Sequence, residues 1–363
     1  SLFMIEASMH VPPGYAMFIP AAIRDAIDLP VVGVGRFKDP LQAERALQEG
    51  HCDLVGVVRG QIADADFVRK ARGGFTDDTR LCLSCNQECV GRMGLNRWLG
   101  CIENPRTGRE SLGVGLPKPV AVGRRVLVVG AGPAGMQAAI AAARNGHHVT
   151  VCERDGLAGG QVRLAASVPN RAEFGDLVRN QVNECQRLGV EIELGVEVTL
   201  EEVRRRRPDT VVVATGSDPA RPWWAPEDAD WIVDVRHVLT GDASPTGTVV
   251  VIDELGFHQA TSVAELLADR GCEVEVITPG MVVGQDLGLT LDLENWWIRA
   301  SAKGIVQTTE CTPMGVEGRT LQLQHHPTGT PVTREPDWVV LAVPSNPADR
   351  LYHELAAAGY DVH

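Results

Sequence analysis

Four cysteines, Cys82, Cys85, Cys89 and Cys101, follow one another with the spacing C-x2-C-x3-C-x11-C. Thiolates are soft ligands. Three in one tight loop, with a fourth returning from a short excursion, can surround a cubane of four irons and four sulfurs. A structural zinc site is the competing use, although such sites usually pair two C-x2-4-C knuckles. The remaining cysteines, Cys52, Cys152, Cys185, Cys272 and Cys311, lie singly in apolar segments, as small core residues do.

A second constellation points to a dinucleotide. RRVLVVGAGPAGMQAAIAAARNGHHVTVCERD reads as a β-α-β unit with Gly130, Gly132 and Gly135 in G-x-G-x-x-G and Glu153 ending its second strand. The glycines permit a tight turn, a close pyrophosphate approach and helix-strand packing, while the acid can bind ribose hydroxyls and favours an unphosphorylated adenosine ribose. Gly159, Gly160 and Gln161 in LAGGQV make a second glycine turn expected near the same crevice, and the buried strand DTVVVATG closes on Thr215-Gly216. FAD and ADP share the pyrophosphate crevice and ribose acid, so both remain open.

The elements that position these residues fall into segments. Residues 1–74 alternate short apolar strands with amphipathic helices, a parallel β/α arrangement, and two strands end in Gly33-Val-Gly35-Arg36 and Val58-Arg59-Gly60. Small residues beside Arg36 or Arg59 suit a phosphate, which β/α barrels bind at their last two loops. The cysteine loop occupies 75–117. A nucleotide-binding domain is expected over 118–246 with a return segment at 338–363, and a second β-α-β domain over 247–337. In that second domain the glycine pattern has collapsed to Asp253-Glu-Leu-Gly256-Phe-His258, and two acids at the strand mouth would repel a pyrophosphate. The run Arg204 to Arg207 reads as the solvated end of a helix before a strand.

With 363 residues, 44% hydrophobic content and a net charge of -13, the chain is a globular type large enough for two or three cores. It shows no basic footprint for nucleic acid or an anionic membrane, no apolar run that reads as a membrane span and no visible signal peptide. Ligand-spaced reduced thiols place it in a reducing cytoplasm.

The strand ends GVGR and VVRGQIAD, the cysteine loop ending CIENPRTGRE, then VLVVGAGPAGMQAA, ERDGLAGGQ and VVVATG, in this order, resemble the trimethylamine dehydrogenase, histamine dehydrogenase and 2,4-dienoyl-CoA reductase group. These are old yellow enzyme-like oxidoreductases with an FMN-bearing β/α barrel, a four-iron cluster and a glutathione-reductase-like pair of doubly wound domains that hold FAD or ADP. The resemblance implies that Cys82, Cys85, Cys89 and Cys101 bind the cluster. By the same token Gly35, Arg36 and Arg59 face the FMN phosphate, and Gly130, Gly132, Gly135, Glu153, Gly160 and Gln161, with Thr215-Gly216, hold FAD or ADP. It also implies that the chain opens within the sixth barrel strand and stops before a Gly-Asp motif, as an internal fragment of a longer enzyme would.

The expected activity is oxidation of a small amine at FMN, with electrons passed singly through the cluster to an external acceptor such as an electron-transfer protein. The full-length enzyme is expected to be a homo-oligomer. An NAD(P)H-dependent enoate or dienoyl-CoA reductase and a non-catalytic electron-transfer module are the alternatives. Met93 stands four residues after the third cysteine, where trimethylamine-oxidising members carry a tryptophan of the substrate bowl. A thioether offers no comparable cation-π face, which counts against trimethylamine itself. Trp98 lies nearby and is the alternative source of such a face, but the favoured reading is a packed loop tryptophan.

Overall fold

The computed structural model describes residues 4–363 as two compact units. The first runs from the N-terminal segment through Arg163 and adds Glu173–Gly216 and Asp349–His363. The second comprises Leu164–Ala172 and Ser217–Ala348. Among the described residues, no helix is long and apolar enough to cross a membrane.

In the first unit, β1 (Val32–Gly33) and β2 (Leu54–Val55) pair in parallel, with helices Phe18–Ala26 and Pro40–Gln48 preceding and connecting them. Gly33 is required between the strands, because a Cβ there would lie 2.8 Å from the Cys52 sulfur. Asp39 starts the second helix by accepting the Leu41 N–H, with Pro40 at the first helical position.

A four-stranded parallel sheet follows, built from β3 (Arg125–Val129), β4 (His148–Glu153), β5 (Glu191–Leu194) and β6 (Thr210–Val213) in the order β5-β4-β3-β6. Val126, Leu127, Val128 and Val129 are all buried, as a central strand covered on both faces must be. One face packs Val128, Met136, Ile140 and Cys185; the other packs Leu127, Val129, Val203 and Leu355. The chain end returns to this sheet: Asp361 O accepts the Val211 N–H, and His363 N–H donates to Val211 O. Arg204 to Arg206 form the last turn of helix Leu200–Arg206, where Arg205 pairs with Glu202 and Arg206 with Glu202 and Glu193, in keeping with a solvated helix end.

The second unit has short strands β7 (Ser217–Asp218) and β8 (Ile232–Asp234), then β9 (Thr248–Asp253), β10 (Glu273–Ile277) and β11 (Val306–Thr308). An antiparallel meander of β12 (Cys311–Glu317), β13 (Thr320–His325) and β14 (Thr330–Arg334) leads to β15 (Trp338–Ala342) and β16 (Asn346–Pro347). The parallel sheet has the order β11-β10-β9-β15-β8. This corrects the expected boundaries. Residues 217–246 and 338–348 belong to the second unit, not the first, because the apolar strand β15 inserts between β9 and β8, in register from Trp338↔Val249 to Ala342↔Asp253. The return segment into the first unit therefore begins at Asp349.

A cysteine-lined cavity and a glycine-lined crevice

Lys70 and the Arg80 N–H both donate to the Asp64 carboxylate, which anchors the start of the cysteine loop to the preceding helices. Asn104 and Thr107 tie its far end to the Ile62 carbonyl. Between these anchors the backbone is irregular, and three residues that are not glycine, Ser84, Asn86 and Asn96, adopt left-handed φ of 53°, 57° and 53°. Such turns aim successive N–H groups at one point and hold anions. Here they aim at sulfur. Ser84 N–H donates to the Cys82 sulfur at 3.3 Å. Backbone N–H groups of Gln87, Val90 and of Glu103 and Asn104 act on Cys85, Cys89 and Cys101 respectively.

All four cysteines line one cavity, together with Arg59, Asn86, Glu88 and Glu103. Every cysteine of the chain is unpaired. Burial pushes the Cys85 and Cys89 thiols up and takes Cys101 to about 12, so without a metal these thiols stay protonated. Among the described residues no group of three or more His, Cys, Asp or Glu side chains is placed to hold a single metal ion. Four soft donors, each met by a backbone N–H, fit a cluster whose sulfurs accept such hydrogen bonds.

The phosphate-facing residues are only partly where the resemblance put them. Gly35 is pinned, its carbonyl accepting the Gly14 N–H at 2.7 Å, and a Cβ there would lie 3.0 Å from Met17 Cε. Arg36, in left-handed conformation at φ 57°, makes a bidentate pair with Glu173 at 2.9 Å, beside Lys38, which bridges Glu173 and Asp176. Its guanidinium is thus already committed. Arg59 points to the cysteine cavity, donating to Asn86 Oδ1 and to Ala7 O at 2.7 Å. Both arginines act on Tyr15, whose hydroxyl pKa is raised by burial and drawn back down by the two cations.

The adenine-nucleotide residues come together. Gly130, at φ 104°, passes so close to β6 that a Cβ would lie 2.4 Å from Ala214 O; at Gly135 it would lie 1.9 Å from Gly130 O. Gly132 faces open space at the N-terminus of helix Pro133–Arg144, which has no side-chain cap, leaving that end for an anion. Gly159 N–H bonds Ala131 O, and the position a Gly160 Cβ would take is 3.3 Å from Gly132 Cα. Gln161 Nε2 comes within 3.7 Å of the corresponding position at Gly216, next to Thr215. Glu153 is buried and accepts the N–H groups of Ala131 and Asp155.

In the second unit one of the two acids at the strand mouth departs from expectation, while Glu254 is exposed there. Asp253 does not present itself to a ligand: it is fully buried and accepts the Gly256 and Gly284 N–H groups at 2.8 and 3.0 Å. Burial raises its pKa against those backbone donors. The Asp286 N–H then bonds Gly256 O, so residues 284–286 close over the β9 loop. Arg171, His258 and Asp292 form a buried cluster at the start of helix His258–Asp269. Trp98 is also a correction: it is 73% exposed rather than packed, at the tip of the turn built on left-handed Asn96, and Met93 is exposed as well.

Sequence reasoning missed Asn86, Glu103, Tyr15 and the partners Glu173 and Glu184. Only Asn86, directly after the second cysteine, carried a local signal.

Residues 6–78 match the NADH:flavin oxidoreductase / NADH oxidase family, and residues 124–252 match the pyridine nucleotide-disulphide oxidoreductases. Over 369 aligned residues the chain is 34% identical to the N,N-dimethylglycine/sarcosine dehydrogenase of Chromohalobacter salexigens, covering 98% of this chain and 53% of that protein. The chain belongs to the old yellow enzyme-like flavin oxidoreductases. Another relative in this group, the NADH oxidase of Thermoanaerobacter brockii, is 36% identical over 270 residues, 73% of this chain and 41% of that protein. The structure of 6-hydroxypseudooxynicotine amine oxidase from Pseudomonas geniculata superposes with a TM-score of 0.93 at 26% identity, covering 99% of this chain and 56% of that one. The chain therefore spans about half the length of these old yellow enzyme-like relatives.

Proposed function

We infer that the protein is an iron-sulfur flavoprotein oxidoreductase that oxidises a small amine and delivers the electrons singly to an external acceptor. The observation that carries this is the cavity in which Cys82, Cys85, Cys89 and Cys101 share walls with Arg59. When bound, FMN supplies hydride acceptance and a four-iron cluster supplies single-electron transfer. The chain's own part is to hold and orient. The four cysteines would ligate the cluster, with backbone N–H groups directed at each sulfur. Gly35 and Arg59 would face the FMN phosphate, and Arg36 would do so only by giving up its pair with Glu173. Gly130, Gly132, Gly135, Gly160 and Gln161, with Thr215-Gly216, hold the pyrophosphate of FAD or ADP, while Glu153 meets its ribose. Such a protein works in a reducing cytoplasm.

An amine is favoured over a nicotinamide-driven enoate reduction for two reasons. A relative matched along 98% of the chain is an N,N-dimethylglycine/sarcosine dehydrogenase, and one matched along 92% is a multifunctional alkene reductase/demethylase, so demethylation of an amine is common to both names. The β9 loop, where a nicotinamide dinucleotide would need open backbone, is folded inward on Asp253 and covered by residues 284–286. The NADH oxidase relative makes the reductase the second reading. Stopped-flow mixing separates them. Secondary and tertiary N-methylamines with a one-electron acceptor are expected to turn over in the oxidised holoenzyme, while sub-millimolar NADH leaves its flavin absorbance unchanged. Flavin bleaching by NADH within a second, without amine turnover, would reverse the assignment.

A further inference from the structure

Arg59 occupies a position that the phosphate role does not exhaust. It stands at the first residue of helix Arg59–Ala63 and on the wall of the cysteine cavity. Two acids share that wall, and each has its own arginine: Glu88 pairs with Arg92 at 3.0 Å and Glu103 with Arg80 at 3.3 Å. Among the described residues Arg59 has no carboxylate within ion-pair reach; it donates to two neutral oxygens, Asn86 Oδ1 and Ala7 O. Asn86 is itself buried, sits between the second and third cysteines, and is held from its other end by donation to Glu6 O at 2.8 Å. The guanidinium is therefore fixed at the cavity wall by neutral oxygens, and among the described residues no carboxylate of the protein neutralises it.

We propose that Arg59 sets the reduction potential of the cluster held by Cys82, Cys85, Cys89 and Cys101, through the charge it keeps at the cavity wall. The inference rests on the cluster reading above. Taking up one electron adds one negative charge to the cluster, and a fixed neighbouring cation in a partly buried site stabilises that form over the oxidised one. Because the cation is tethered to the cysteine loop through Asn86, its distance from the sulfurs is held constant. Arg59 is a positioning and tuning residue here, acting on the cluster without ligating it.

The test is an EPR-monitored dithionite titration of the anaerobically purified full-length holoenzyme, with wild type and variants compared at matched flavin and iron content. Arg59→Gln is expected to weaken cluster reduction at least tenfold, about 59 mV more negative for one electron. Arg59→Lys, which keeps the charge but loses the fork, is expected to stay within threefold of wild type. A purely structural role would move both variants alike, and equal shifts, or no shift in Arg59→Gln, would overturn the proposal. If Arg59→Gln loses iron, Asn86→Asp sets a carboxylate against an intact Arg59 and is expected to shift the potential the same way. Iron loss in both variants would show that the contact holds the loop together and would also overturn it. Wild-type protein without iron and sulfide would instead sink the cluster reading itself, before any titration.

Discussion

Gly135 carries the tightest steric demand in the nucleotide crevice, since any Cβ would fall 1.9 Å from the Gly130 carbonyl oxygen. Backbone, not a movable side chain, blocks it. Gly135→Ala is expected to cost roughly 1–3 kcal/mol, as overpacking does, and to abolish bound adenine nucleotide. Denaturant unfolding and mass spectrometry of the released nucleotide read the two effects. Asp253 makes a different demand. Its folded pKa is raised by burial, so the native state binds more protons than the unfolded state once pH exceeds the usual aspartate range. Its contribution is full at low pH and is lost as pH rises through the folded value. The stability of wild type relative to Asp253→Asn is therefore expected to decline between about pH 4 and the raised pKa, measured by urea unfolding across pH. A flat difference would mean that Asp253 titrates normally.

Between elements, ion pairs tie the cysteine loop to the helices that flank the first unit's parallel sheet. Arg80 donates to the Glu103 carbonyl and to both Glu103 and Glu184 carboxylates, and Arg144 also pairs with Glu184. Both acids are nearly inaccessible; Arg80→Met leaves Glu184 with Arg144 alone and leaves Glu103, whose pKa burial already raises to about 8, protonated without its partner, at a cost of about 1–3 kcal/mol. Hydrogen exchange should show residues 80–103 opening in this variant while β3 to β6 stay protected. Nothing in the sequence announced that network, because Arg80 and Glu184 are 104 residues apart and look like ordinary surface charges. The fingerprint Gly130 to Glu153 was legible because its chemistry is local: strand, turn, helix and acid follow in one run. The cysteine cavity was legible for the same reason. The domain boundary was not, since whether Trp338–Ala342 joins the first or the second sheet depends on which apolar strand it pairs with, and both sheets offer valines. Asp253 was placed at the strand mouth, but its inward turn depends on Gly284, 31 residues on.

The first unit as a whole carries a flavin-family segment, a cysteine-lined cavity and a nucleotide-binding sheet, and its chemistry depends on what fills the cavity. Iron, acid-labile sulfide and zinc counted in the anaerobically purified full-length protein test this most directly. About four irons and four sulfides per chain are expected, with a brown colour that Cys85→Ser removes. One zinc per chain with no sulfide would contradict the account.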